Sequence, residues 1–107
     1  MANFVLLYSG GSMPESEAEQ AAVMQAWTNW FGRLGSALVD AGNPFTAQAK
    51  SIASNGKVSE GPVGTMATGY SIIKADSLGA AVELAQGCPQ VQGGDGKITV
   101  YETLPVM

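Results

Sequence analysis

The run Asn3 to Tyr8 (NFVLLY) constrains this chain more than any other segment. Phe4, Val5, Leu6 and Leu7 are apolar without a break, a pattern that suits a strand covered on both faces rather than one lying half in water. Ser9, Gly10 and Gly11 then end it abruptly. Whatever fold the chain takes must supply cover for both sides of this strand.

The remaining segments say where one cover comes from. A long helix follows, with two capping-box spacings at its start: Ser12 with Glu15 and Ser16 with Glu19, so its first turn is open to two positions. Pro14 suits the first turn, and Glu15, Glu17 and Glu19 favour the positive end of the helix dipole. Val23, Trp27, Trp30, Phe31, Leu34 and Leu38 recur at three- and four-residue steps and form one face; Gln25, Asn29, Arg33, Ser36 and Asp40 lie largely away from it. Gly42 and Pro44 are expected to end the helix. Gly32 and Gly35 inside it each cost about 1 kcal/mol relative to alanine. They read either as tolerated weakness or as the mark of a closely approaching backbone.

Thr46 to Ser54 predicts a weaker strand of small residues. Asn55-Gly56 is a two-residue hairpin signal, and Lys57-Val58-Ser59 begins the return. Tyr70 to Ala75 predicts a strand that stops at Asp76. Asp76 or Ser77 caps a second helix with Leu78, Ala81, Val82 and Ala85 on its apolar face, ended by Gly87 and Pro89. Lys97 to Thr103 is the last strand, alternating Ile98, Val100 and Glu102 with Thr99, Tyr101 and Thr103.

This order predicts an α+β fold on the ferredoxin-like split βαβ plan, a sandwich in which both helices cover one face of a mostly antiparallel sheet. Residues 1–107 make a single domain. The other sheet face, with Ile72, Val100 and the apolar first strand, needs cover of its own. Charged residues make up only 13% of the chain, about half the usual soluble share. The expected cover is a second copy of the chain, giving a homodimer in which two sheets close a dimeric α+β barrel.

Composition removes several function classes. Net charge is −4, and the five cations, Arg33, Lys50, Lys57, Lys74 and Lys97, are scattered. A nucleic-acid partner requires clustered positive charge, so none is expected. Cys88 is the only cysteine and there is no histidine, which excludes an internal disulfide and a Cys/His zinc site within one chain. Carboxylates cluster only at Glu15, Glu17 and Glu19, around a helix start, so no metal site is expected. The Gly-rich loops lack the Gly-Lys-Ser/Thr of a phosphate loop, and no cofactor is expected. The opening MANFVLLYSGG is too short for a signal core or a membrane span and has no basic residues. The expectation is a soluble cytoplasmic protein with no membrane partner.

The polar groups able to act at a sheet cavity are Asp40, Lys74, Tyr8, Tyr70, Tyr101 and Glu102. Lys74 and Glu102 read either as a cross-strand ion pair or as an acid/base pair that holds a small carboxylic acid. In the catalytic version Lys74 binds the anion and Glu102 or Asp40 moves protons; Asp40 otherwise reads as a solvated helix residue. Glu60, Gly61 and Pro62 form either a turn that delivers the chain to the strand at Tyr70 or a flap over a ligand, with Gly61, Gly64 and Gly69 as hinges. Trp27 and Trp30 read as packing residues before a ligand platform, and Cys88 as a small buried side chain.

Three stretches bear a resemblance to a known family. The helix text AWTNWFGRLGSALVDAGNPF, the block EGPV followed by GYSIIKADSLGAAVELAQGCP, and GG before ITVYETLPV resemble the YCII-related family in its DGPF branch. The resemblance covers nearly the whole chain. It implies a dimeric α+β barrel with a small cavity at the sheet interface, and in some relatives isomerase, dehydratase or dehalogenase-type chemistry on small ring-derived acids using a His-Asp pair. Without a histidine that pair does not carry over. The branch motif Asp-Gly-Pro-Phe is matched here by Glu60, Gly61, Pro62 and Val63, the aromatic being replaced. Two functions follow as expectations. One is a small-molecule-binding protein or small cofactor-free enzyme acting on small organic acids. The other is a non-catalytic dimeric accessory or sensory module.

Overall fold

A computed structural model of the protein describes residues 1–105. Its elements are β1 (Ala2–Ser9), α1 (Glu17–Leu34), β2 (Leu38–Asp40), β3 (Lys50–Ile52), β4 (Val58–Glu60), β5 (Ala67–Ala75), α2 (Leu78–Gln86) and β6 (Lys97–Glu102). Four strands form an antiparallel sheet in the order β2-β5-β1-β6, and β3 and β4 form a separate hairpin. With the hairpin set aside, the chain runs β-α-β-β-α-β with β1 and β5 at the centre. This α+β arrangement is compatible with the ferredoxin-like plan.

Strand periodicity divides the sheet into two faces. Phe4, Leu6 and Tyr8 of β1 and Ser71, Ile73 and Ala75 of β5 are buried and face the helices. Trp30 and Leu34 of α1, Ala81 and Ala85 of α2, and Cys88 close the same core, with Ile98 and Val100 of β6 packed against it. Val5 and Leu7, with Tyr70 and Ile72 opposite or beside them, lie on the other face and are only partly buried. Val100 pairs with Leu6 and therefore belongs to the helix-covered face, not to the outer one.

The long helix is shorter than its spacing implies. Of the two capping positions Ser16 is the one used: its hydroxyl accepts from the Glu19 amide at 3.1 Å. At the other end α1 stops at Leu34, because Gly35 takes a left-handed φ of +54° and its amide bonds back to Phe31. One turn of 3-10 helix, Gly35–Ala37, leads into β2, where Leu38 pairs with Ile73. Leu38 still points into the core. The four-residue step from Leu34 to Leu38 thus mimics a helical stripe while the backbone has already turned to complete the sheet edge. Asp40 is consequently a strand residue and not a member of the helix's polar side. Gly32 has open space where a side chain would begin, so among the described residues no backbone approaches it.

The hairpin forms at Asn55-Gly56 as its sequence implies: the Gly56 amide bonds to Ala53 and the Asn55 side chain accepts from the Lys57 amide at 2.9 Å. Its strands are only three residues each, shorter than Thr46 to Ser54 implies. Ile52 and Val58 remain 73% and 54% exposed, so the hairpin stands off the body. The radius of gyration, 15.3 Å, exceeds the roughly 13 Å typical of a compact domain of this length. Among the described residues no helix is long and apolar enough to cross a membrane.

Candidate functional site

The first half of α1 is poorly packed. No residue from Glu17 to Asn29 is buried; Trp27 is half-buried against the core, and the first buried residue is Trp30. The apolar stripe Val23, Trp27 and Phe31 therefore stands over the end of the sheet and leaves a cleft beneath it of about 590 Å³. That volume falls within the roughly 300–1,000 Å³ of small-molecule sites. Tyr8 and Ser71 form its floor, Met24, Trp27 and Phe31 one wall, and Ala41 to Pro44 after β2 another. Gly10 to Pro14 and the segment from Pro89 to Asp95 complete the rim.

The walls are held by short-range chemistry. Trp27 meets Tyr8 edge-on at 5.2 Å and Trp30 edge-on at 5.9 Å, so three rings brace one another. Trp30, 2% exposed, donates its indole N–H to the Leu84 carbonyl at 3.2 Å, tying α1 to α2. Gly42 has a φ of +74°, and a Cβ there would sit 1.8 Å from the Tyr70 carbonyl oxygen, so only glycine lets this wall lie against β5. Gly10, with a φ of +67°, similarly lies against the Asp95 carbonyl. Asp95 accepts the Gly11 amide on Oδ1 at 3.0 Å, and the Gln90 side chain donates to the Ser9 and Gly10 carbonyls at 2.9 and 3.3 Å.

Beneath the cleft runs a buried relay. The Tyr8 hydroxyl donates to Ser71 Oγ at 2.7 Å, and Ser71 donates to the Ala41 carbonyl at 2.6 Å. A carbonyl can only accept, so the direction of both bonds is determined. The Cys88 thiol, fully buried, lies against the Tyr8 hydroxyl. Burial pushes the Tyr8 phenol well above its ordinary range, outweighing the bond to Ser71. Burial likewise pushes the Cys88 thiol up to about 11. Both groups stay protonated at neutral pH, so neither is a ready base or nucleophile.

The residues singled out from the sequence are dispersed. Tyr8 and Tyr70 border the cleft. Asp40 lies beside it, accepting the Gly42 amide at 2.8 Å and the Tyr70 hydroxyl at 3.4 Å. Lys74 sits at the far end of β5, in a second, shallower depression of about 370 Å³ with Asp76 and Glu83. Lys74 and Glu102 do not meet: Lys74 pairs with Asn3 and Glu102 with Phe4, so successive residues of β1 put them on opposite faces of the sheet. Neither the cross-strand ion pair nor the acid/base pair forms. Tyr101 pairs with Val5 on the outer face and is exposed.

Glu60, Gly61 and Pro62 border neither depression. Glu60 forms an exposed ion pair with Lys50 at 3.5 Å, the Gly61 amide bonds to Ala49, and the Gly61 carbonyl accepts from Ser51 at 2.6 Å. This segment ends the hairpin and is not a flap over the cleft. Among the described residues no three His, Cys, Asp or Glu side chains gather as metal ligands do.

Ser71, Asn43, Thr68, Gln90, Gln92 and Asp95 are polar groups of the site that carry no role in the sequence reading. Ser71 carries a faint signal, as the lone hydroxyl on the Ser71-Ile73-Ala75 parity of a buried strand. Gln90 and Asp95 sit in a turn-rich loop and carry none. No protein-family model matches this sequence, and no curated protein matches it either.

Proposed function

We propose that this protein binds a small organic molecule in the cleft between α1 and the end of the sheet, without a cofactor, and works as a homodimer joined through its outer sheet face. The observation that carries the reading is the cleft itself. The chain leaves Val23, Trp27 and Phe31 only half-buried along a cavity of drug-sized volume, with ring contacts bracing that wall and hydrogen bonds holding the floor and the loops. A small ring-derived substrate and an enzymatic step fit the family resemblance. Binding without chemistry fits the site better, because Tyr8 and Cys88 are both locked in their protonated forms.

Dimerisation is supported by the partly buried Val5, Leu7, Tyr70 and Ile72 on the face opposite the helices, and by a hairpin whose Ile52 and Val58 find no cover in their own chain. A cytoplasmic location agrees with the single, unpaired, buried cysteine. The second reading, a non-catalytic dimeric accessory or sensory module, is favoured by the same unspent surface.

Thermal-shift screening of small ring compounds tests the first reading, since a ligand of the folded form alone must raise Tm. Stabilisation that disappears in Met24→Trp, which fills the cleft from an exposed helix position, supports it. Uniform failure of the panel leaves the module reading. Light scattering at micromolar concentration tests assembly: a monomer refutes both dimeric readings.

A further inference from the structure

The charge and hydrogen-bond polarity of the cleft select its ligand, an inference that rests on the cleft being a binding site. None of the five cations, Arg33, Lys50, Lys57, Lys74 and Lys97, lines the cavity; its only charged residue is Asp95. An anion entering here would be desolvated with no opposite charge beside it and a carboxylate at the rim. The Gly11 amide, a donor in the loop that borders the cleft, is already taken by Asp95.

The neutral groups point the same way. Tyr8 spends its proton on Ser71, and Ser71 spends its own on the Ala41 carbonyl. Gln90 turns its amide nitrogen to two backbone carbonyls, which only accept, so its Oε1 is left without a proton to offer. Gln92 spends its nitrogen on the Gln86 carbonyl at 2.7 Å in the same manner. The Pro89–Asp95 side of the cleft therefore presents lone pairs: the two amide oxygens and the second oxygen of Asp95, with the Tyr8 oxygen, shared with the Cys88 thiol, on the floor beneath. Ser12, Asn43 and Thr68, the side chains free to donate, stand at the exposed rim. Against these acceptors lie the flat apolar surfaces of Trp27 and Phe31, braced by the Tyr8 ring.

We infer that the ligand is an uncharged planar ring compound carrying an N–H or O–H donor, and that the cleft discriminates against carboxylic acids. The donor points to the acceptor-lined Pro89–Asp95 side while the ring lies along Trp27 and Phe31. A small acid of the kind the family resemblance implies would be the poorer ligand.

Calorimetric titration of the full chain with four indoles separates the contributions. Indole carries a neutral donor, 1-methylindole lacks it, indole-3-acetate adds a negative charge and tryptamine a positive one. The expected result is that indole binds most tightly, 1-methylindole about fivefold more weakly, and indole-3-acetate at least about tenfold more weakly, the size of one unpaired charge or donor in a partly desolvated site. All binding is lost in Met24→Trp. Indole-3-acetate binding as tightly as indole, with that binding still lost in Met24→Trp, overturns the inference and leaves the cleft as a site. Tryptamine binding tightest overturns the uncharged assignment, and 1-methylindole equal to indole overturns the donor. Absence of binding by all four, or binding indifferent to Met24→Trp, overturns the cleft reading as well.

Discussion

Removing Ser71 should cost far more than removing the hydroxyl that bonds to it, and the second change should reverse sign once the first is made. Ser71 is fully buried and sits in the middle of the relay, accepting from Tyr8 and donating to Ala41. Ser71→Ala leaves a buried phenol without an acceptor and the Ala41 carbonyl without a donor. One stranded buried group costs about 1–3 kcal/mol. The Ala41 carbonyl is only part-buried and recovers some solvation, so the sum is about 2–4 kcal/mol. Tyr8→Phe strands no strong polar group, since Ser71 keeps its bond to Ala41 and only an incoming proton and the weak contact of the Cys88 thiol are lost; about 1 kcal/mol is expected.

In the Ser71→Ala background, however, the Tyr8 hydroxyl is itself the misfit. Taking it away there should be neutral or stabilising, so the double variant is no less stable than Ser71→Ala alone. Urea unfolding of the four proteins, with m unchanged across the set, gives the cycle directly. Were Tyr8→Phe to cost the same in both backgrounds, the two bonds would be independent, and the relay would not be what fastens the cleft wall to the sheet.

Three further outcomes follow from the same geometry. Gly42→Ala should destabilise the fold by at least about 2 kcal/mol, combining left-handed strain with a Cβ driven into the Tyr70 carbonyl, and should loosen β2 in hydrogen exchange before β1. At alkaline pH the two buried acids act together. The unfolded chain releases the Cys88 proton near 9 and the folded chain only near 11, so stability should fall as pH rises through that window, by up to about 1.4 kcal/mol per pH unit, with Tyr8 adding to the loss above pH 10. Cys88→Ala should flatten the curve between pH 9 and 10, leave only the Tyr8 loss above that, and change nothing below. A thiol reagent at pH 8 should modify Cys88 only at the rate at which the chain opens, so labelling as fast as that of a free thiol would show the core to be breached.

What the sequence makes legible follows from how local each signal is. The β5–Ser77–α2 block reads correctly in its elements because strand alternation, a capping serine and a helical pattern agree within about one element's length, although of the expected apolar face only Ala81 and Ala85 are buried and Leu78 and Val82 stay exposed. Ser77 indeed accepts the Ala80 amide at 3.1 Å. The α1–β2 boundary misleads because Leu34 and Leu38 serve the same core from two different backbones, and spacing alone carries no mark of the change. The cleft is invisible for a related reason. Val23, Trp27 and Phe31 have the spacing of a fully packed stripe, and only the tertiary arrangement decides that they stay half-buried with a cleft beneath them. Gln90 and Asp95 join the site across more than eighty residues of sequence, through bonds to the loop after β1.

Residue parity on β1 keeps the two proposed roles apart. Phe4, Leu6 and Tyr8 serve the core and the cleft floor; Val5 and Leu7 serve the outer face. The same parity separates Lys74 from Glu102, so no single site can recruit both while this register holds. A charge placed at Leu7 should therefore disturb assembly while leaving the Tyr8–Ser71 relay formed, and a change at Tyr8 should disturb the relay while leaving the outer surface intact. If ligand binding and dimerisation prove coupled, the link must pass through Tyr70, which lies on the outer face and also borders the cleft, through the backbone of β1 and β5, or through a partner residue reaching the cleft.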